Sequence, residues 1–130
     1  MQILKITTSV RESMIDITGQ VVKAVHSSPL QCGAVLVYTP HTTTGLTINE
    51  GADPHVCQDI LTHLRTMVPC SSCFQHVEGN SDAHIKASLL GSSVLVIVED
   101  GQLQLGTWQR IFLGEFDGPR TRTLWLTFLS

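Results

Sequence analysis

An α+β fold is the class that the pattern of elements predicts for this chain. Apolar runs of strand type recur from Ile3 to Leu129, and two to three short stretches carry helical spacing between helix-start and helix-stop residues. No repeat, linker or low-complexity stretch divides the sequence. With 130 residues the chain is long enough to bury a core without disulfides or a structural metal, so 1–130 is read as one domain.

Ile3 to Thr8 reads as a strand, and Met14 to Ile17 as its hairpin neighbour across the charged turn at Arg11 and Glu12. From Thr18 to Ser27, the positions of Val21, Val22 and Val25 fit a short amphipathic helix with Thr18 as N-cap, ended before Pro29. Gly33 to Thr39 is almost wholly apolar, as a strand buried on both faces would be, and Pro40 stops it. Leu46 to Glu50 alternates like a half-buried strand. Asp53-Pro54 starts a helix: Asp53 can accept backbone N–H bonds, Pro54 fills the first helical position, and Val56, Ile60, Leu64 and Met67 line one face. The next helix begins near Asn80-Ser81-Asp82 and ends at Gly91, which sets His84 and Ser88 one turn apart. Val94 to Val98 is then a central strand, followed after the Glu99-Asp100-Gly101 turn by strands over Thr107 to Phe116 and Thr121 to Leu129. In the last strand Arg122, Leu124, Leu126 and Phe128 share one face, and Thr123, Trp125 and Thr127 the other. A tryptophan on the more polar face points to a subunit contact.

Charge is scarce, at 15% of residues against the ~25% usual for a soluble domain, while 42% are hydrophobic and the mean hydropathy is +0.18. That shortage suggests surface hidden by self-association. A net charge of -3, a pI near 6.0 and scattered Lys and Arg residues leave no footprint for nucleic acid. Met1 to Thr8 lacks a signal-type apolar core, and the densest apolar run, Val94 to Val98, is too short to span a bilayer, so a cytoplasmic protein without a membrane partner is expected. The cysteines at 32, 57, 70 and 73 form no secreted framework. Cys70-Ser71-Ser72-Cys73 follows Pro69 at a helix end, not the strand-to-helix start that lowers a thiol pKa, and is read as incidental or structural thiols.

The chemistry gathers where elements end. His41-Thr42-Thr43-Thr44-Gly45 supplies an imidazole, hydroxyls and flexible backbone, a set that suits an anion. Asn49-Glu50 stands just ahead of Asp53, and two neighbouring carboxylates can hold a hard cation such as Mg²⁺, or one can act as a base while Asp53 caps its helix. His76 and His84 flank a polar loop, and His41, His76 and His84 together could bind a transition metal such as Zn²⁺ or serve as free acid and base groups. His26, His55 and His63 occupy polar faces of helices and carry no role. Gly106-Thr107-Trp108-Gln109 follows a glycine turn without the Lys-Ser/Thr of a Walker loop. Arg120, after Asp117-Gly118-Pro119, could grip phosphate or a carboxylate at two points, or pair with Glu115 or Asp117.

The runs His41 to Glu50, Asn80-Ser81-Asp82-Ala83-His84-Ile85-Lys86, Gly106-Thr107-Trp108-Gln109 and Glu115-Phe116-Asp117-Gly118-Pro119-Arg120 closely resemble the YjbQ-like family in order and spacing over nearly the whole chain. The CxxC is the main departure. The resemblance implies a domain of mixed or antiparallel sheets that assembles as a homotrimer, with polar pockets near subunit boundaries. It also implies a secondary thiamine-phosphate synthase activity, joining an aminopyrimidine methyl diphosphate to a thiazole phosphate with release of pyrophosphate. On that chemistry His41, Glu50 and His84 are the expected catalytic groups. Thr42, Thr43, Asn49, Asp53, Asn80, Gly106, Thr107, Trp108, Gln109 and Arg120 are the expected substrate contacts. A divalent cation, Mg²⁺ or Zn²⁺, is open as cofactor. The competing expectations are a trimeric protein that binds a small phosphorylated metabolite and a histidine-metal hydrolase.

Overall fold

The computed structural model describes residues 1–70 and 74–130. In chain order the elements are β1 (Gln2–Thr7), β2 (Ser13–Asp16), α1 (Thr18–His26), β3 (Gly33–Tyr38), β4 (Thr44–Glu50), α2 (Pro54–Met67), α3 (Ser81–Leu90), β5 (Ser93–Glu99), β6 (Gln102–Leu103), β7 (Gln109–Glu115) and β8 (Thr121–Leu129). A five-stranded sheet has the order β1-β8-β3-β5-β6, and a three-stranded sheet the order β2-β7-β4. Every pairing in both is antiparallel.

The expected β1–β2 hairpin does not form. β1 makes six residue pairs with β8, Gln2 opposite Leu126 through Thr7 opposite Thr121, whereas the four-residue β2 crosses to the other sheet and pairs with β7. Pairing with the long apolar β8 covers more surface than so short a hairpin partner could. The strand expected from Thr107 begins instead at Gln109; Thr107 and Trp108 lie in the preceding turn.

Alternation decides which side of each strand meets the core. Val35 and Val37 of β3, Val96 and Val98 of β5 and Leu124 and Leu126 of β8 face inward, against Val21, Ala24 and Val25 of α1 and Leu46, Ile111 and Leu113 of the smaller sheet. Burying such side chains contributes about 1.5–3 kcal/mol each relative to exposure. The expectation that β3 is buried on both faces is half met. Its outward face, with that of β5, is apolar yet open: Leu95 is 60% and Ile97 65% exposed, and Tyr38 stacks on Trp125 beside them. Thr18 is not the N-cap of α1 either. Asp16 Oδ1 accepts from the Thr18 N–H, and the Thr18 hydroxyl accepts from the Ile111 N–H of β7, which stitches the helix start to the small sheet.

α2 starts as its sequence demands, with Asp53 Oδ1 accepting from the His55 N–H and Pro54 in the first turn. Its apolar face docks on α3 through Leu64, Ala83, Ala87 and Phe116, with Met67 left outside. α3 lies directly on β4. A Cβ built on Gly45 would stand 2.6 Å from Leu90 Cβ and 3.2 Å from the Ala87 carbonyl oxygen, so only glycine allows this approach. Lys86 fixes the helix from its other side: almost wholly buried, it donates to Asp82 Oδ2 at 3.2 Å and to Glu12 Oε2 at 3.0 Å. The end of β3, the start of β4, the first turns of α3, the end of β7 and the start of β8 thereby meet at one corner.

Candidate functional site

That corner holds two adjoining cavities of about 400 and 560 Å³, which share Pro40, His41, Thr42 and His84. The smaller is polar, closed by Thr43, His76, Asn80, Asp117, Arg120 and Arg122. The larger extends along Tyr38, Thr44, Ala87 and Ser88. Each wall traces to a local cause. Pro40 ends β3, so His41 turns back over β8, and α3 carries His84 up from its N-terminal turn because Gly45 lets the helix sit close.

Arg122 is the floor. Its side chain is 4% exposed and donates through Nε to Glu115 Oε1 at 2.8 Å, and through Nη2 to Glu115 Oε2 at 2.6 Å and Thr43 Oγ1 at 2.8 Å. Thr8 donates its hydroxyl to Glu115 Oε1, and the Asp117 N–H reaches Oε2. Burial alone would raise the Glu115 carboxyl, but the bonds from Arg122, Thr8 and the Asp117 amide prevail and hold it below the usual carboxylate range. Arg120 binds as a rim group, with its side chain 54% exposed, Nε on the Asp117 carbonyl and Nη2 on Asp117 Oδ2. Asn80 donates to the same Asp117 oxygen at 2.8 Å; its own Oδ1 is the buried side-chain acceptor without a partner among the described residues.

His41 is held in one tautomer. The Thr123 N–H donates to His41 Nε2 at 2.9 Å, which makes Nε2 the acceptor and puts the proton on Nδ1. Burial lowers its pKa, the Arg122 charge lowers it further, and Glu115 only partly opposes this, so the ring is neutral near pH 7. His76 and His84 sit edge to face with ring centroids 5.3 Å apart, and no described residue bonds the His84 ring nitrogens.

Of the residues expected at the site, His41, Thr42, Thr43, His76, Asn80, His84 and Arg120 are brought together. Asn49, Glu50, Asp53, Gly106, Thr107, Trp108 and Gln109 are not. Glu50 pairs with Gln109 at one end of the β4–β7 ladder and Thr44 with Glu115 at the other, a separation of about 20 Å along seven extended residues. Asp53 is spent on its helix cap, and the Gln109 side chain accepts from the Gly106 N–H at 2.7 Å. Trp108 stands 62% exposed at this far end. His41, His76 and His84 line one cavity without the geometry of a metal site. Among the described residues no three His, Cys, Asp or Glu side chains converge on a metal position, and a ligand bond from His41 would have to displace either the Nδ1 proton or the Thr123 bond.

Sequence reasoning passed over Arg122 and Glu115. The signal was present: an arginine on the inward face of β8, in line with Leu124 and Leu126, needs a buried counter-charge. The histidines assigned no role keep to the surface, with His26 against Gln102, His55 beside Asp53 and His63 exposed. Cys70 is an exposed free thiol, and Cys73, the other half of the CxxC, lies outside the described residues.

Comparison with known proteins places these features in a lineage. The sequence profile described as UPF0047 protein YjbQ-like matches residues 2–130. The UPF0047 protein YugU of Bacillus subtilis is 48% identical over 128 residues, covering 98% of this chain and 97% of that protein. A UPF0047 protein of Archaeoglobus fulgidus is 53% identical over 121 residues, covering 92% and 93%. A YjbQ/UPF0047 family protein of Clostridium acetobutylicum, 50% identical, superposes with a TM-score of 0.97 over 99% of this chain and 100% of its own.

Proposed function

The chain belongs to the YjbQ-like UPF0047 family, and from that premise we propose that it is a thiamine-phosphate synthase-like transferase, acting on small phosphorylated substrates as a cytoplasmic homotrimer. The reaction would join an aminopyrimidine methyl diphosphate to a thiazole phosphate and release pyrophosphate. One observation carries the phosphate half of this reading: the donor-rich cavity where His41, His84, Arg120 and Arg122 converge. Departure of a diphosphate builds negative charge, and fixed cations and N–H donors aimed at that charge are what such a step requires. His41, neutral with its proton on Nδ1, serves as a hydrogen-bond donor, and His84, whose ring nitrogens no described residue bonds, serves as the acid that protonates phosphate. Among the described residues no third ligand joins His76 and His84, so these donors do not make up a resident Zn²⁺ site. Mg²⁺ would arrive as the counter-ion of the diphosphate and is part of the substrate.

Glu50 and Trp108, the groups suited to face a developing pyrimidine cation, lie at the far end of the same chain. In this proposal they are lent to the cavity by another subunit. The open face of Leu95, Ile97, Tyr38 and Trp125, together with the low charge content, supports assembly, since apolar patches of this kind mark contact surfaces. A binding protein for a small phosphorylated metabolite is the second reading, favoured by the absence of Glu50 from the cavity of a single chain.

Thiamine phosphate formation from the two phosphorylated precursors with Mg²⁺ separates the two. Turnover by the purified chain that is lost in a folded His84→Ala variant supports the transferase. Unchanged precursors together with a raised melting temperature would support the binding protein.

A further inference from the structure

Arg122 presents an unusual combination: it is buried, charged and only partly satisfied. Its Nε and Nη2 are taken by Glu115 and Thr43, whereas Nη1 has no hydrogen bond among the described residues. Nη1 is also not among the buried atoms left without a partner, so it opens into the cavity that Arg122 lines. On the same wall His41 offers Nδ1–H, held in place because the Thr123 N–H occupies Nε2. Neither donor can swing away. Glu115 clamps the guanidinium at two points, and the Thr123 amide clamps the imidazole.

We propose that Arg122 Nη1 and His41 Nδ1–H form a fixed seat for a tetrahedral oxyanion, the phosphate of a phosphomonoester, with Arg120 closing over it from the rim. The inference rests on the phosphate-handling reading above and deepens it by naming the group that is held and the residues that hold it. Charge-assisted bonds to an arginine in a partly dry cavity outweigh those to a solvated one, because water competes less. Arg122 therefore contributes more affinity than Arg120 although it is hardly visible from outside. The buried Glu115 has a definite part: it offsets the cost of keeping Arg122 dry and still leaves Nη1 aimed outward. Its negative charge also disfavours an anion seated too deep. His41 gains from neutrality, because a protonated ring would lose the Thr123 bond, and Arg122, Arg120 and Glu115 are the charged groups that face it.

The probe is inorganic phosphate, titrated calorimetrically into the full chain. Arg122→Lys should weaken phosphate binding by roughly tenfold or more, and Arg120→Gln by about threefold or less. The reverse order, or wild-type protein that takes up no phosphate, overturns the seat, as does acetate binding as tightly as phosphate. If Arg122→Lys does not fold, ¹⁵N-histidine NMR of the wild type decides. His41 should be the Nδ1–H tautomer, and phosphate should shift its Hδ1 resonance; an Nε2–H tautomer, or a resonance indifferent to phosphate, refutes the proposal. Phosphate bound with no thiamine phosphate formed would sink the transferase reading and leave the seat standing.

Discussion

Glu115 decides whether Arg122 can exist where it does. With the carboxylate gone, a guanidinium is stranded in a place that is nine-tenths dry, and breaking such a pair costs about 3–5 kcal/mol. Glu115→Gln should show that loss in urea unfolding, and the combined Glu115→Gln, Arg122→Met variant should recover much of it. The same groups set the pH dependence. Glu115 and Asp82 are both held low: burial raises each, but bonds from Arg122, Thr8 and the Asp117 amide in one case, and from Lys86 and Arg11 in the other, prevail. The unfolded chain therefore takes up protons first, so this stability is present above about pH 4 and is lost as pH falls through the lower native values. His41 has the same slope at higher pH. Its native ring resists the proton, through burial and Arg122, so stability declines as pH drops below about 6.5, where only the unfolded ring charges. Melting temperature should fall in two stages between pH 8 and pH 3, and His41→Gln should lack the upper one.

At the level of elements, the contact between α3 and β4 carries the site. The Leu46 N–H donates to the Gly91 carbonyl at 2.9 Å, and Gly45 allows the helix its close approach, which together bring His84 over His41. Gly91 ends the helix at φ 101°, a conformation that side-chain-bearing residues rarely adopt. Gly45→Ala should lower stability by about 1–3 kcal/mol through overpacking against Leu90 and Ala87. It should also weaken ligand binding, because the helix can relieve the clash only by backing away with His84. A variant with unchanged unfolding midpoint would show that the contact is looser than its geometry.

For the whole molecule, the open sheet face yields the clearest expectation. Replacing Ile97 with Glu, together with Leu95→Glu, should convert the proposed trimer to monomers with little change in circular dichroism, read by sedimentation velocity. Trimers that survive both charges would move the contact elsewhere. This scale is also where a linear reading stops. Most strand and helix positions were legible to within a few residues, because alternation, the Asp53-Pro54 start and the Gly91 stop act over short stretches of chain. So was the neighbourhood of His41, Asn80, His84 and Arg120, through runs whose chemistry the core does not need. Two things were not legible. Strand order is one: β1 could pair with β2 or β8, and the choice depends on the total surface each partner covers. The other is which candidates meet. Glu50 and Trp108 are near His41 in sequence or motif, yet an antiparallel ladder sends them to its opposite end, while Arg122 and Glu115, seven residues apart on different strands, are folded into one ion pair beneath it. The sequence by itself determined the elements and the chemical inventory, because those follow from local backbone preferences and residue type. Only the tertiary structure decided which groups share a cavity, because that proximity is set by long-range packing and strand register.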